Sequence, residues 1–274
     1  MANYKMIACD LDGTLLDNGL NISAENAAAI RDLVARGVAF VPTTGRAFGE
    51  IDPSVLRLDG VRYVISSNGT LVLDLQTGER IKTCISRDDA QAIFDILEEY
   101  ERFELLHYEG DSYVDAALCN EKEYERFYLN RNFRAVIEDS NRKVEGYNEW
   151  RRKLDGIEMV TLFIPDDAKL AECAERIRAL GAYSVVSSAA HSIEFFRSDA
   201  GKGNILLKFA EHLSIPREAV IAVGDSINDS SMIKAAGLGL AVENAFPELK
   251  AVADAVICSN EAHCIEYILK HYIE

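Results

Sequence analysis

The chain has few of the features that would place it in a membrane, in a disulfide framework or at a zinc ion. Its six cysteines lack Cys-x-x-Cys spacing and its five histidines form no pair at helical spacing. We therefore expect reduced, mostly structural thiols and no zinc site built from histidine. The amino terminus lacks a basic region followed by an apolar segment, and no apolar stretch approaches the ~20 residues that span a bilayer. These absences predict a cytoplasmic protein with no membrane partner.

Positive charge is also in short supply. The chain carries 29 lysines and arginines against 45 aspartates and glutamates, which gives a formal net charge of -16. Because proteins bind polyanions by neutralising phosphates with Lys and Arg, this balance argues against a nucleic-acid partner and against anionic membrane surfaces. At 274 residues the chain exceeds a typical domain, which predicts two domains or one large domain with an insertion.

Acidic residues concentrate where the first predicted strand ends. Residues 4–10 read as a short, mostly apolar strand that ends in Asp10, and Asp12 follows before the turn former Gly13. Open α/β sheets bind ligands at the carboxyl ends of their strands. Two carboxylates in this place favour a bound cation or catalytic chemistry, and the alternative is an ordinary Asp-x-Asp-Gly turn.

Three later segments carry matching groups. The apolar run 38–42 ends in Thr43-Thr44-Gly45-Arg46, where a hydroxyl and open backbone amides at a predicted strand-to-helix junction suit an anion. Lys202 stands between two glycines at the start of the predicted helical stretch 205–212, where its ammonium could reach a phosphate. The apolar strand 220–223 leads into Gly224-Asp225-Ser226-Ile227-Asn228-Asp229. One such segment would be weak support for a site, whereas four in this order are strong.

Strands and helices alternate at both ends of the chain but not in its middle. The predicted order begins with strand 4–10, helix 23–36, strand 38–42, helix 46–57 and strand 61–66, which is the βαβ rhythm of a parallel sheet. Asn68-Gly69 then introduces a predicted hairpin of strands 71–74 and 80–83, with its turn at 76–78. From about residue 86 the pattern changes to helices and hairpins, with predicted helices over 88–100, 121–132 and 167–180. The last segment returns to alternation and ends in a predicted helix over 261–273.

These motifs, taken in order, resemble the haloacid dehalogenase superfamily of phosphotransferases, and within it the Cof-type phosphatases. The resemblance covers nearly the whole chain and is carried by Asp-Leu-Asp-Gly-Thr-Leu at 10–15, Thr-Gly-Arg at 44–46, Lys-Gly-Asn at 202–204 and Gly-Asp-Ser-Ile-Asn-Asp at 224–229. It implies an α/β fold in which residues 1–84 and 197–274 form a Rossmann-like, parallel-sheet catalytic core. Residues 85–196 would form an inserted α+β cap domain.

The chemistry of phosphate esters assigns expected roles to the acidic residues. An ester phosphate repels nucleophiles, so a site needs a cation, hydrogen-bond donors around the phosphoryl group and an in-line nucleophile. We expect Asp10 to be the nucleophile and Asp12 to act first as general acid and then as general base. The carboxylates of Asp10 and Asp225 and the backbone carbonyl of Asp12 are expected to hold Mg²⁺, with Asp229 nearby, directly or through water.

The predicted phosphate-binding residues are Thr44, Gly45, Lys202 and Asn228. By resemblance, Thr44 and Lys202 hold the phosphoryl oxygens, Lys202 also steadies Asp10, and Asn228 orders the loop or the phosphate. Three of these residues have a plain structural alternative. Thr44 would be a helix N-cap, Lys202 a solvated surface charge and Asn228 a turn-stabilising side chain.

The resemblance implies a Mg²⁺-dependent phosphatase that hydrolyses small phosphorylated metabolites, most of all sugar phosphates, through an aspartyl-phosphate intermediate. One alternative is a phosphosugar mutase, which would use the same core but return the phosphoryl group to another hydroxyl. The other alternative is a non-enzymatic metabolite-binding protein. We expect such a protein to have lost Asp10 or Asp12, and both are present.

Overall fold

The computed structural model of the chain describes residues 3–187 and 190–273. The strands are β1 (Met6–Cys9), β2 (Ala39–Pro42), β3 (Tyr63–Ser66), β4 (Leu71–Asp74), β5 (Arg80–Lys82), β6 (Phe103–Tyr108), β7 (Asp111–Asp115), β8 (Arg142–Val144), β9 (Met159–Phe163), β10 (Tyr183–Val186), β11 (Ser192–Arg197), β12 (Val220–Gly224), β13 (Leu238–Ala241) and β14 (Ala255–Val256). The helices are α1 (Ala24–Ala35), α2 (Pro53–Leu56), α3 (Arg87–Leu97), α4 (Glu121–Arg126), α5 (Arg131–Asp139), α6 (Tyr147–Arg151), α7 (Asp167–Ala179), α8 (Lys202–His212), α9 (Ser230–Ala235), α10 (Pro247–Lys250) and α11 (Cys264–Ile268).

A five-stranded parallel sheet forms the centre of the first part of the molecule. Its strand order is β14-β13-β12-β1-β2, and every neighbouring pair runs parallel. All residues of β1 and β12 are buried, as expected for parallel strands whose two faces are both covered. The predicted α/β fold class with a parallel-sheet core is confirmed.

The predicted strand 61–66 lies outside this sheet. It forms β3, which pairs antiparallel with β4 in a separate three-stranded sheet of order β3-β4-β5. A single parallel bridge between Thr43 and Ile65 connects β3 to the segment that follows β2. The alternation of apolar runs predicted a further parallel strand, but the turn at Ser67–Gly69 reverses the chain directly after β3 and makes a hairpin.

A six-stranded sheet of order β10-β11-β9-β6-β7-β8 organises the middle of the chain. Its pairs are antiparallel except for the parallel pair of β7 and β8. Leu162 and Phe163 are neighbours in β9, so their side chains point to opposite faces of the sheet. Leu162 belongs to an apolar cluster with Phe94 of α3 and Ile177 of α7, while Phe163 packs in another cluster with Tyr124 of α4. Helices therefore cover both faces of this sheet.

The chain divides into two compact units. The first contains the chain up to Gly45, then Ile51–Ile81, and the chain from Ala200 onward. The second contains Lys82–Asp199 together with Arg46–Glu50. The assignment of residues 1–84 and 197–274 as a catalytic core, and of 85–196 as a cap, stays a prediction. Among the described residues, no helix is long and apolar enough to cross a membrane.

The predicted helix 46–57 does not form as one element. A short turn over Phe48–Glu50 is followed by α2, which begins only at Pro53. Proline disfavours helical conformation in the residue before it and cannot donate to the preceding turn. Asp52 instead caps α2 by accepting a hydrogen bond from the Ser54 N–H at 2.7 Å.

Two other predicted helices are shorter than expected. The predicted helix 121–132 divides into α4 and α5, because Tyr128 has a φ of 54° and Asn130 caps a new helix. The predicted helix 261–273 begins only at Cys264, since His263 has a φ of 59°. Residues in this left-handed region end or delay a helix, and the apolar periodicity does not reveal them.

Candidate active site

The predicted site residues lie at one edge of the parallel sheet. Asp10 directly follows β1, Thr43 and Thr44 follow β2, and Asp225 follows β12. Because β1 lies between β2 and β12, the three strand ends are neighbours. The register pairs Cys9, the residue before Asp10, with Pro42 in β2 and Val223 in β12. This is the edge at which open α/β sheets bind ligands.

Lys202 is the central cation of the site. It begins α8, and its side chain is fully buried. Nζ donates hydrogen bonds to Oδ1 of Asp10 at 2.7 Å and to Oδ1 of Asp229 at 2.6 Å. Burial lowers the pKa of Lys202, but the charges of these two carboxylates outweigh burial and hold the pKa above its ordinary value. The alternative that Lys202 is a solvated surface charge is therefore wrong.

Asp229 holds the loop that follows β12. It is fully buried, and its Oδ2 accepts hydrogen bonds from the N–H groups of Asp225 at 3.1 Å and Ser226 at 3.0 Å. A Cβ atom at Gly224 would lie 2.6 Å from Cγ of Asp229, so the loop can approach this carboxylate only with glycine there. Asp229 thus fixes both the loop and the ammonium of Lys202.

The turn Leu11–Leu15 connects the two predicted catalytic aspartates. The Leu15 N–H donates to the carbonyl of Asp10 at 3.2 Å, and Gly13 adopts a φ of 75°. A Cβ atom at Gly13 would lie 2.8 Å from Oδ2 of Asp225, so this position requires glycine for both its conformation and its close contact. Asp12 is half-buried in the turn.

Three carboxylates converge on this edge and form what we call the acidic cluster: Asp10, Asp225 and Asp229. Each offers one oxygen, and these oxygens lie within 4.8 Å of one another. The carboxylate of Asp12 is not part of this group among the described residues. Oxygen ligands of this kind suit a hard divalent cation.

The electrostatics of the acidic cluster also fit a cation. Burial and the charge of Asp229 raise the pKa of Asp10 well above its ordinary value, although Lys202 opposes this effect. Burial and Asp229 also raise the pKa of Asp225 to about 6. One ammonium does not balance the charge of three carboxylates, so an added divalent cation would favour the ionised forms of Asp10 and Asp225.

Thr44 and Gly45 lie in a loop and not at the start of a helix. Thr44 is buried, its N–H donates to the carbonyl of Ile65 at 2.9 Å, and its carbonyl accepts from the Asn68 N–H at 3.1 Å. The next helical turn begins only at Phe48. The predicted strand-to-helix junction is therefore wrong, and so is the helix N-cap alternative for Thr44. Any anion bound here would meet loop amides rather than a helix terminus.

Asn228 joins this loop to the one after β12. Its Nδ2 donates to Oδ1 of Asn68 at 3.1 Å, and Asn68 is in turn bound to Thr44 through its backbone. Asn68 thus connects two of the predicted phosphate-binding residues, Thr44 and Asn228, and it lies between them in sequence.

Sequence reasoning missed three residues that support the site. Asn68 was expected to introduce a hairpin but was given no role in the site, and its partner Asn228 lies 160 positions away. Thr14 Oγ1 donates to Oδ1 of Asp225 at 3.3 Å, and Asn244 Nδ2 donates to the carbonyl of Gly13 at 2.7 Å. All three contacts are between distant parts of the chain, so local patterns carried no signal for them beyond the presence of polar residues near strand ends.

Together these features define an α/β enzyme with a buried lysine and an acidic cluster at the carboxyl edge of a parallel sheet. A model of the haloacid dehalogenase-like hydrolase family matches residues 7–269. Phosphatase YwpJ of Bacillus subtilis (strain 168) is 32% identical over 98% of this chain and 100% of its own length. The 5-amino-6-(5-phospho-D-ribitylamino)uracil phosphatase YwtE of the same organism is 31% identical over 97% of this chain and 96% of its own length.

A solved structure agrees with these comparisons. A haloacid dehalogenase-like hydrolase from B. subtilis shares 30% sequence identity and a TM-score of 0.84, covering 98% of this chain and 99% of that one. The chain belongs to the haloacid dehalogenase-like hydrolase family, and it is a phosphatase. The resemblance to Cof-type phosphatases noted in the sequence is confirmed.

Proposed function

We propose that this phosphatase requires Mg²⁺ and hydrolyses small phosphorylated metabolites, most of all sugar phosphates, through an aspartyl-phosphate formed on Asp10. The observation that carries the proposal is the buried Lys202 ammonium, which bridges Asp10 and Asp229 inside the acidic cluster. A carboxylate attacks phosphorus only when it is ionised. Lys202 and a bound cation both favour the ionised form of Asp10, against the effect of burial.

The residues of this site suit Mg²⁺ as the cation. The carboxylates of Asp10 and Asp225 and the backbone carbonyl of Asp12 would supply oxygen ligands, with Asp229 contributing directly or through water. When bound, Mg²⁺ neutralises phosphoryl oxygens and the acidic cluster. Thr44, the backbone of Gly45, Lys202 and Asn228 would hold the remaining phosphoryl oxygens.

The reaction then proceeds in two halves. In the first, a carboxylate oxygen of Asp10 attacks phosphorus, the ester P–O bond breaks, and Asp12 donates a proton to the leaving oxygen. In the second, Asp12 takes a proton from water, the water oxygen attacks phosphorus, and the bond to Asp10 breaks. The products are an alcohol, inorganic phosphate and the ionised carboxylate of Asp10, and Asp12 ends in its starting protonation state.

The proposed substrate class rests on the relatives and on charge. The name of YwtE specifies a substrate with a 5-phospho-D-ribityl group, which is a phosphorylated sugar-alcohol chain. A net charge of -16 disfavours polyanionic substrates such as nucleic acid. Small phosphate esters with a hydroxylated carbon chain are therefore the class we expect this phosphatase to hydrolyse.

A phosphate-release screen tests the proposed function. Purified protein incubated with a panel of phosphorylated sugars and sugar alcohols should release inorganic phosphate in the presence of Mg²⁺ and none in the presence of a chelator. Asp10→Asn should release none, because an amide is not a nucleophile toward phosphorus. Asp59→Asn, a change at an exposed turn residue, should behave as wild type.

Two results would contradict the proposal. Full phosphate release in chelator would exclude the metal requirement. Conversion of a sugar phosphate to its isomer without release of phosphate, dependent on a sugar bisphosphate, would instead identify a mutase.

Stability measurements give an independent test of the metal site. Asp225 has a pKa of about 6 in the folded protein and about 4 when unfolded. Between these pH values Asp225 keeps its proton in the metal-free folded state but has lost it in the unfolded chain. The free energy of unfolding therefore falls as pH rises through this range. Mg²⁺ needs the ionised carboxylate, so the rise in Tm on adding Mg²⁺ should be large at neutral pH and should shrink as pH falls below about 6.

The substitution Asp225→Asn should separate stability from metal binding. At neutral pH the metal-free variant should be at least as stable as wild type, because one repelling carboxylate is gone, but Mg²⁺ should no longer raise its Tm. Asp59→Asn should keep the full Mg²⁺ effect. A Tm increase that is independent of pH, or one that survives in Asp225→Asn, would place the metal elsewhere.

A further inference from the structure

The segment Ser67–Gly69 has an unusual backbone for a buried loop. Ser67, Asn68 and Gly69 have φ values of 48°, 53° and 96°, and Asn68 is only 1% exposed. Left-handed conformations are uncommon in residues other than glycine, although asparagine tolerates them better than most. Such strain persists only where the surroundings fix it, and it concentrates at functional sites.

Asn68 contacts three of the predicted phosphate-binding residues, Thr44, Gly45 and Asn228. Its backbone N–H donates to the carbonyl of Thr44 at 3.1 Å. A Cβ atom on Gly45 would lie 3.2 Å from Oδ1 of Asn68, so the side chain lies against the Gly45 backbone. The same Oδ1 accepts the hydrogen bond from Nδ2 of Asn228 at 3.1 Å. The strained residue thus lies between the Thr44–Gly45 loop and the amide of Asn228.

The oxygen atom of the Asn228 amide indicates that this side chain takes part in ligand binding. Its Oδ1 is buried, and among the described residues it has no hydrogen-bond partner. A buried acceptor without a donor is costly. A phosphoryl oxygen cannot satisfy it, because phosphoryl oxygens accept hydrogen bonds. Rotation of both side-chain amides by half a turn keeps a hydrogen bond between them, now donated by Asn68 Nδ2 to Asn228 Oδ1. Asn228 Nδ2 then takes the former position of Asn228 Oδ1, where it can donate a hydrogen bond to a ligand.

We propose that Asn68 is a positioning residue that sets the orientation of the Asn228 amide, so that Asn228 donates a hydrogen bond to the phosphoryl group. Asn68 serves this role because an amide can both accept from and donate to its partner. A carboxylate at position 68 can only accept, so it fixes Asn228 with its oxygen outward. This inference rests on the proposed function for the location of the phosphoryl group.

Two substitutions at position 68 separate this role from simple packing. Both Asn68→Asp and Asn68→Gly accommodate a positive φ. Asp keeps the shape and the acceptor, whereas Gly removes the side chain. If Asn68 served only for packing, Asn68→Asp would weaken phosphate binding less than Asn68→Gly. The proposal predicts that Asp weakens binding of inorganic phosphate at least as much as Gly does.

The measurement is calorimetric titration of Mg²⁺-loaded protein with inorganic phosphate. Asn228→Ala and both variants at position 68 should weaken phosphate affinity by about tenfold or more, the effect of losing one hydrogen bond to a charged group. The Mg²⁺ affinity of Asn68→Gly should stay within about twofold of wild type. In an Asn228→Ala background, neither change at position 68 should weaken phosphate binding much further, because Asn68 acts through Asn228.

Several outcomes would overturn the role of Asn68. These are wild-type phosphate affinity in Asn68→Asp, a milder effect of Asp than of Gly, and additive losses with Asn228→Ala, the last of which would mark a direct charge effect. Wild-type protein that binds phosphate but hydrolyses no ester would instead refute the proposed function. The titration does not need turnover, so it still tests the inference about Asn68 in that case.

Discussion

Replacement of Lys202 by methionine is expected to abolish phosphate release and to destabilise the folded protein. Methionine keeps most of the length of the side chain but leaves Asp10 and Asp229 buried without their shared ammonium. Removal of one partner from a buried ion pair costs about 3–5 kcal/mol. Chemical denaturation of the metal-free protein should show a loss of this size in the free energy of unfolding near neutral pH.

The loss in the free energy of unfolding of Lys202→Met should depend on pH. Lys202 opposes the rise in the pKa of Asp10, so without it the buried carboxylate of Asp10 keeps its proton to higher pH. The folded variant then binds more protons than its unfolded chain over a wider range, and its stability falls further as pH rises. The difference from wild type should therefore be smallest in acid and should grow toward neutral pH.

Lys208 offers a matched control on the same helix. It is exposed, and Lys208→Met should change stability by no more than about 0.5 kcal/mol and leave phosphate release intact. Wild-type turnover in Lys202→Met would contradict the role of this ammonium in the site. Equal effects of Lys202→Met and Lys208→Met on stability and phosphate release would show that the burial of the Lys202 ammonium between two carboxylates has no consequence.

The elements that place Asp10 and Asp225 could be predicted because their signal is local. Short runs of buried, apolar residues followed by acidic residues indicate strands of a parallel sheet and their carboxyl ends. The parallel sheet confirms this for β1 and β12. Asp10 and Asp225 then lie close together because neighbouring parallel strands end at the same edge.

The segment after Thr44 could not be predicted from the same kind of signal. Its apolar residues suggested a helix over 46–57, but Pro53 delays helix formation until α2. The short segment Arg46–Glu50 is instead bound to distant residues of its own compact unit. The Gly49 N–H donates to the carbonyl of Gly110 at 2.7 Å, and Asn141 Nδ2 donates to Oε1 of Glu50 at 2.7 Å. Such tertiary contacts override local propensity.

Inside the site, too, local motifs predicted some features, whereas contacts between distant residues could not be predicted. By resemblance, the Lys-Gly-Asn motif predicted that Lys202 steadies Asp10, but it did not reveal the second contact of the ammonium, with Asp229. The Asn-Gly pair at 68–69 was expected to introduce a hairpin of strands 71–74 and 80–83, and the corresponding strands β4 and β5 are neighbours in the three-stranded sheet. The hydrogen bond from Asn228 to Asn68 joins residues 160 positions apart, and no local pattern encodes it.

Substitution by asparagine of each aspartate that we propose to be catalytic should give a different kinetic defect. Asp10→Asn removes the proposed nucleophile, so no covalent intermediate and no phosphate should be detected with any ester. Asp12→Asn keeps the nucleophile and the backbone carbonyl but removes the acid and base, which contribute about 10²–10⁴-fold in rate. Turnover of a sugar phosphate by Asp12→Asn should fall by that factor.

An activated aryl phosphate should expose the separate halves of the reaction in Asp12→Asn. Its leaving group needs little protonation, so the attack by Asp10 should survive while hydrolysis of the intermediate stalls. Rapid mixing should show a burst of aryl alcohol that approaches one equivalent per enzyme, followed by slow turnover. Equal and undiminished steady-state rates in wild type and Asp12→Asn would mean that Asp12 is neither acid nor base.

The most direct test of the account is the identity of the residue that carries the phosphoryl group. Asp12→Asn protein can be mixed with aryl phosphate and Mg²⁺, quenched in acid during the slow phase, and digested for mass spectrometry. The account predicts one added phosphoryl group on the peptide that contains Asp10, and none in the Asp10→Asn/Asp12→Asn double variant. A phosphoryl group on any other residue, or its persistence in the double variant, would contradict the assignment of Asp10 as the nucleophile.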